Sequence, residues 1–312
     1  MVRMLRERIV GVLCALLAGS ALAGDRVVLE VAGSEDSDGL RQHAELAGYL
    51  HALPEQGKKA HVGVRAGYWQ LAAPGGLQED FSVLRLDHER RLGPVDLALG
   101  VKQLASDDWS PTLGSAHATW QATPRWSLAA GIATDIVDTA LAARRETRFD
   151  TVDISSDYRI GDAFTVIGGL LHQDFSDGNE REGGLLRLVY APPRIEGFNT
   201  QLRWRRNDGD LRGIGYFSPD RFEEAMLQLQ YGRALPGGRF VLTGVAGAGG
   251  QQVDRGETTS TFLAELRARG WFSDRFGLEG KGGCSNSGDI GVRAAGGSYR
   301  YCYVNLALIR SL

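Results

Sequence analysis

The sequence has 312 residues, 43% hydrophobic, 8% aromatic and 23% charged, with 42 Gly and 9 Pro. That is too apolar and too aromatic for a disordered chain, and too poor in Pro for a collagen-like repeat. With 35 Lys and Arg against 38 Asp and Glu the formal charge is −3, so no strongly basic face is implied and nucleic acid is not an expected partner.

Arg3, Arg6 and Arg8 open the chain, Ile9 to Leu17 is a short apolar run, and Ala21-Leu22-Ala23 is a small-residue site before Gly24. This layout predicts a cleavable secretory signal over residues 1–23. Cys14 falls inside it. Beyond Gly24 no apolar stretch approaches the ~18 to 20 residues of a spanning helix, and no helical period is sustained. Alternation of apolar and polar side chains recurs instead, which is the period of half-buried strands. Residues 24–312 are therefore expected to form one all-β unit.

A first strand is predicted at about Arg26 to Ala32. Between Val95 and Lys102, the residues Val95, Leu97, Leu99 and Val101 share one face and Asp96 and Lys102 the other. Ala116, Ala118 and Trp120 oppose Ser115, His117, Thr119 and Gln121. Between Phe198 and Arg205, Phe, Thr, Leu and Trp oppose Asn, Gln and Arg. The polar set is read as an inner, wet face. Short breaker-rich connections fall near Pro54 to Lys58, Gly93-Pro94, Thr123 to Arg125, Gly161-Asp162, Pro192 to Gly197, Pro236 to Gly238 and Ser273 to Arg275. Longer polar stretches such as Ala72 to Glu79, Ser106 to Thr112 and Asp208 to Asp220 lie between them. Short turns alternating with long loops are the asymmetry of outer-membrane barrels, with the short turns periplasmic. The count gives eight hairpins.

Aromatics strengthen this. Trp126, Phe164, Phe198, Phe240 and Phe276 each follow a short turn, and Tyr158, Tyr190, Tyr231 and Phe272 precede one. Rings repeated at one height on the apolar face describe an interfacial girdle. The expected fold is a transmembrane, antiparallel, up-and-down β-barrel of about 16 strands in the outer membrane of a Gram-negative bacterium. Outer-membrane lipid and lipopolysaccharide would surround it.

Strand parity assigns Arg41, His43, Glu45, Arg65, Arg85, Asp87, Glu89, Lys102, Asp153, Asp157 and Glu224 to the inner face. It also puts Arg187, Arg203, Arg205, Glu265, Arg267, Arg269, Glu279 and Lys281 there, the residues expected to line a lumen. Two readings stay open: a polar, porin-like conduit, or a structural or adhesive barrel whose lumen is shut by internal ion pairs. A third is a barrel hydrolase, since Ser115 and His117 share the inner face. Alternation alone gives that spacing, however, and no GxSxG or paired-His motif is present, so no enzyme, catalytic residue, metal or cofactor is expected. The Gly-rich run Gly244 to Gly250 is followed by no helical pattern, which argues against a phosphate loop.

The segment Gly215-Tyr216-Phe217-Ser218-Pro219, with Phe222, the alternating strand Ala225 to Arg233 and the Gly-rich strand Phe240 to Gly250, carries a resemblance. It resembles the C-terminal outer-membrane barrels of exopolysaccharide secretion systems, the cellulose and poly-N-acetylglucosamine exporters, and the smaller YaiO-type barrels. The resemblance implies a 16-stranded export barrel with Tyr216, Phe217 and Pro219 in an outer loop, and a polysaccharide as partner. Those exporters carry a helical-repeat scaffold before the barrel. Here strands begin almost directly after Gly24, which leaves two alternatives open: a separate periplasmic scaffold protein as partner, or a function other than export.

Cys284 and Cys302 fall on the outward face of the last two strands. A cross-strand disulfide near the outer rim and two unpaired thiols are equally open. The final strand, about Tyr299 to Arg310, puts Val304, Leu306 and Leu308 outward and is expected to pair with the first, because lipid cannot satisfy an open sheet edge.

Overall fold

A computed structural model of the chain describes residues 24–53, 60–210, 215–286 and 299–312. The predicted leader and the connection Pro54 to Lys58 lie outside these residues. The strands are β1 (Arg26–Asp36), β2 (Arg41–Ala52), β3 (His61–Ala73), β4 (Leu77–Leu92), β5 (Val95–Ala105), β6 (Thr112–Thr123), β7 (Trp126–Ile136) and β8 (Arg148–Ile160). They continue as β9 (Phe164–Phe175), β10 (Glu180–Tyr190), β11 (Phe198–Gly209), β12 (Phe222–Ala234), β13 (Phe240–Val253), β14 (Thr259–Trp271), β15 (Phe276–Ser285) and β16 (Tyr301–Ser311). One short helix, α1 (Ala140–Arg144), lies between β7 and β8. Each strand pairs antiparallel with its neighbours in sequence, and β1 pairs with β16 from Arg26↔Ser311 to Asp36↔Tyr301. The sheet is thus a closed 16-strand, up-and-down barrel.

Residues directly opposite across a ladder share a face, so register assigns the two sides. Ile132 faces Val152, Ile154 faces Leu170, Leu202 faces Leu227 and Val31 faces Leu306. These side chains point away from the lumen into an exposed apolar surface, with Leu170 at 67% and Ile132 at 58% exposure. Seven to nine strand residues at ~3.3 Å rise and ~40° tilt make an apolar band of ~18–23 Å, near the ~25 Å of outer-membrane barrels. Below it, Trp126 pairs with Tyr158, Phe164 with Tyr190 and Phe198 with Tyr231, forming an outward aromatic belt at the short-turn end. The short turn before β11 needs glycine: Gly197 has φ +77° and passes so close to Gly232 that a Cβ would meet its carbonyl oxygen.

The structure corrects the sequence at β2. Val31 faces Glu45, and Glu45 faces Tyr68, so Arg41, His43 and Glu45 lie outside, in a polar collar at the long-loop end. Parity fails there because Leu46 and Leu50, which would mark a lipid face, turn inward. Leu46 packs on the lumenal cluster of Leu71, Phe81 and Leu104, and Leu50 joins Val28 and Ile309. The inner face is also less polar than alternation implies: Leu71, Phe81, Val83, Leu104 and Leu113 are all buried inside the long-loop end of β3–β6.

Cys284 and Cys302 are direct partners in the β15–β16 ladder, on the same side as Val304, and are joined by a disulfide. It sits where β15 and β16 leave the sheet at the long-loop end. Protein that begins at Gly24, and so lacks Cys14, is expected to show no free thiol without reductant. Changing both cysteines to serine should cost about 2–4 kcal/mol, read as a lower urea midpoint for the compact, faster-migrating form on unboiled gels.

Candidate functional site

The lumen is the space that a closed barrel encloses, and among the described residues its two ends differ. Toward the short turns it is open to water. Arg269 and Glu279 face each other inside the barrel and pair at 3.0 Å, yet their side chains are 80% and 49% exposed. Arg267 and Glu265 pair beside them, with the Tyr303 hydroxyl donating to Glu265. On the opposite wall Arg65 bridges Glu30 and Asp87, and Arg85 reaches Asp87 at 2.7 Å; the pair Lys102–Asp135, at 3.6 Å, lies instead at the long-loop end, with Lys102 opposite Leu113.

Toward the long loops the lumen is packed. The β7–β8 connection, residues 137–147, folds across the mouth as a strap. Thr139 caps α1, its Oγ1 accepting from the Ala142 N–H, and the same hydroxyl donates to the Gly215 carbonyl at 2.8 Å. On the other side Gln42 Nε2 donates to Asp138 Oδ2 at 2.7 Å, and Arg144 donates to the Gly75 carbonyl at 2.8 Å. These partners come from β2, the β3–β4 turn and the β11–β12 loop, so the strap is tied to separated parts of the rim. Between the ties, Ala143 joins the buried cluster that holds Leu71, Phe81, Leu104 and Leu113, and Ala142 the one that holds Val137, Phe175 and Tyr216. Two successive alanines let a helical turn sit against apolar walls on both sides.

The outer-loop residues Tyr216, Phe217 and Pro219 turn inward. Tyr216 is buried and stacks on Phe175 with ring centroids 4.8 Å apart. Its hydroxyl donates to Asp177 and accepts from Asn179, each at 3.1 Å. Burial, reinforced by the charge of Asp177, pushes this phenol well above its ordinary range and keeps it a neutral donor. Arg181, itself buried, donates to the Phe217 carbonyl and stands over the Phe175 ring at 5.2 Å. Phe217 meets Phe222 edge-on at 5.6 Å, and Pro219 accepts from the Gly209 N–H through its carbonyl. The loop thus anchors the strap through Gly215.

Beneath that anchor, Glu224 is fully buried. Arg205 approaches it with two nitrogens at 3.1 Å each, Arg203 reaches it at 2.6 Å, and Thr261 donates to it at 3.3 Å. Arg205 also stands over Phe222 at 5.1 Å. Register puts all eight lumen candidates on the inner side: Arg187 opposite Arg203, Arg205 opposite Glu224, Glu265 opposite Gly283, Arg267 opposite Lys281 and Arg269 opposite Glu279. They divide in function. Arg203 and Arg205 are held in a buried ion cluster, whereas Arg267, Arg269, Glu279 and Lys281 line the wet end. Sequence reasoning missed the strap, Gln42, Phe175, Asp177, Asn179 and Arg181. The signal for the strap was the capped Ala140 to Arg144 run after Thr139 in a sequence otherwise made of strands.

Ser115 and His117 both face the lumen, but His117 Nε2 lies 3.2 Å from Thr119 Oγ1, and among the described residues no hydrogen bond joins it to Ser115. A hydrolytic reading therefore gains no geometric support from them.

No protein-family model matches the chain. Comparison with curated proteins finds no match either. Among solved structures, the chain is similar to a bacterial polysaccharide outer membrane secretin, with TM-score 0.71 and 12% identity, over 92% of this chain and 98% of that one. CdiB from Acinetobacter baumannii gives TM-score 0.49 at 10% identity, covering 92% of this chain and 61% of that one. OpdQ from Pseudomonas aeruginosa gives 0.47 at 9% identity, covering 92% and 98%. At 12% identity the secretin likeness establishes a shared barrel fold.

Removing the carboxylate from the buried cluster leaves two guanidinium groups without their counter-charge. Glu224→Ala should destabilise the barrel by about 3–5 kcal/mol, measured by urea titration in detergent, and Glu224→Gln by less.

Proposed function

We propose that this protein is a porin-like conduit of the Gram-negative outer membrane, with short turns in the periplasm and long loops outside, and that the species it passes is a polysaccharide. The exposed apolar band and single aromatic belt support the membrane placement, since side chains of that kind are stable against lipid and costly against water. The single observation that carries the conduit reading is the lumen itself. Its periplasmic half is wide enough to hydrate Arg269 and Glu279, while its outer half is closed by a strap that a few side-chain hydrogen bonds hold in place. Such ties are each worth about 0.5–1.5 kcal/mol, small enough to open under load. Polar side chains of both signs along the wet half suit a hydroxyl-rich polymer, which exchanges hydrogen bonds with them as it moves.

The polysaccharide assignment draws on the Gly215 to Pro219 resemblance to exopolysaccharide exporters and YaiO-type barrels, together with the barrel likeness to a polysaccharide secretin. A periplasmic scaffold that delivers polymer to the short-turn end completes the scheme, with lipopolysaccharide and outer-membrane lipid around the wall. A second reading, a structural barrel with a permanently blocked lumen, is favoured by the burial of Ala142 and Ala143 between two apolar clusters.

Recording in planar bilayers separates the two. The intact barrel should show small or rare conductance steps, and replacing residues 138–146 with a short Gly-Ser linker should raise conductance several-fold. Absence of steps from the linker variant, with no loss of surface polymer on gene deletion, would establish the blocked barrel instead. Tyr216→Ala should act in the same direction as the linker and more weakly. It removes the stack on Phe175 and the ties to Asp177 and Asn179, at about 3 kcal/mol of local stability. Faster amide exchange in residues 137–147 is the check.

A further inference from the structure

The lumenal charges are not evenly spread. On the wall from β10 to β15 the carboxylates are already engaged. Glu224 is shared by Arg203 and Arg205, Glu265 pairs with Arg267, and Glu279 pairs with Arg269. Arg187 and Lys281 remain on that wall, both inward by register. Arg187 stands directly opposite Arg203, whose charge repels it, and among the described residues no carboxylate comes within 4.0 Å of it. Its Nε is buried without a hydrogen-bond partner among the described residues, so an acceptor at that atom would offset part of the cost of its burial. Lys281 stands opposite Arg267 and has the Tyr303 ring at 5.9 Å.

On the β9 side of Arg187 the acidic groups belong to β8, two strands away. Asp157 shares its ladder row through Ile167. Asp153 leans the other way, its carboxylate lying over Gly131 of β7. On β9 the inward neighbours Thr165, Ile167 and Gly169 carry no charge. The wall therefore holds cations in excess of carboxylates and faces water on one side.

We infer that the β10–β15 wall is a binding track for an anionic glycan, with Arg187 as the principal contact and Lys281 as a second one, so that the transported polymer carries carboxylates of the uronic-acid type. The inference rests on the conduit reading for the word transported, but the site itself does not. A planar carboxylate matches the fork of a guanidinium and would bring Arg187 the acceptors it lacks. Ionic contacts in a wet lumen are screened and exchange readily, which allows a bound polymer to advance from one cation to the next.

The test uses the full mature barrel in detergent and in planar bilayers, with hexagalacturonate as probe and maltohexaose as its neutral counterpart. By calorimetry hexagalacturonate should bind at least tenfold more tightly than maltohexaose, with affinity falling as salt rises. Arg187→Gln should weaken hexagalacturonate binding about tenfold, Arg187→Lys should restore part of it, and Lys102→Gln on the opposite wall should leave it within twofold. Each variant is first checked for the compact form on unboiled gels. Equal affinity for the two sugars, or Arg187→Gln binding like the parent, overturns the anionic track. If binding depends on Arg187 but the strap-less barrel passes no current, the conduit fails and the site stands. If current flows and hexagalacturonate interrupts it no more often than maltohexaose does, the conduit stands and the track fails.

Discussion

Every backbone amide that faces hydrocarbon must find its partner within the protein, and this requirement organises the whole chain. A sheet satisfies it only when its first and last strands meet, as β1 and β16 do along their full length. Closure leaves two surfaces with opposite duties. The outer one is filled by Leu, Ile and Val between aromatic rings and a polar collar. The inner one is released from contact with lipid and can carry charge, and it is there that any function has to be built.

The inner surface is used in two ways. Near the short turns, ion pairs such as Arg269–Glu279 stay hydrated and cost little to rearrange. Near the long loops, Glu224 and its two arginines are cut off from water, so their charges persist only because they are mutually satisfied and further tied by Thr261. That cluster gives the wall under the β11–β12 loop a fixed geometry. The loop in turn fixes Gly215, and Gly215 holds the strap. A rigid wall therefore positions the strap, and in the conduit proposed above the free energy of opening would fall on the strap rather than on the barrel.

The local pattern made some of this legible. Alternation is a property of neighbouring residues, so the outward set Val95, Leu97, Leu99 and Val101 and the aromatic pairs such as Trp126 with Tyr158 could be read directly. Turn chemistry separated short connections from long ones, which yielded the strand number. The pairing of Cys284 with Cys302 was readable only as one of two alternatives, because parity places both outward but does not bring sulfur atoms together. At β2 the same parity misled: Leu46 and Leu50 are apolar for an inner cluster, while Arg41, His43 and Glu45 belong to the outer collar.

The amino-acid sequence by itself determined that this chain forms a closed, two-faced sheet with its rings at the short-turn end. Hydropathy of period two and breaker residues at turns are local quantities and suffice for that. Only the tertiary structure decided what fills the lumen. The strap reaches Gln42, Gly75 and Gly215, partners far away in sequence, and Arg203 has the Glu224 carboxylate at 2.6 Å whereas, among the described residues, Arg187 has none within 4.0 Å. Both depend on distances set by closing the barrel, which periodicity along one strand does not encode.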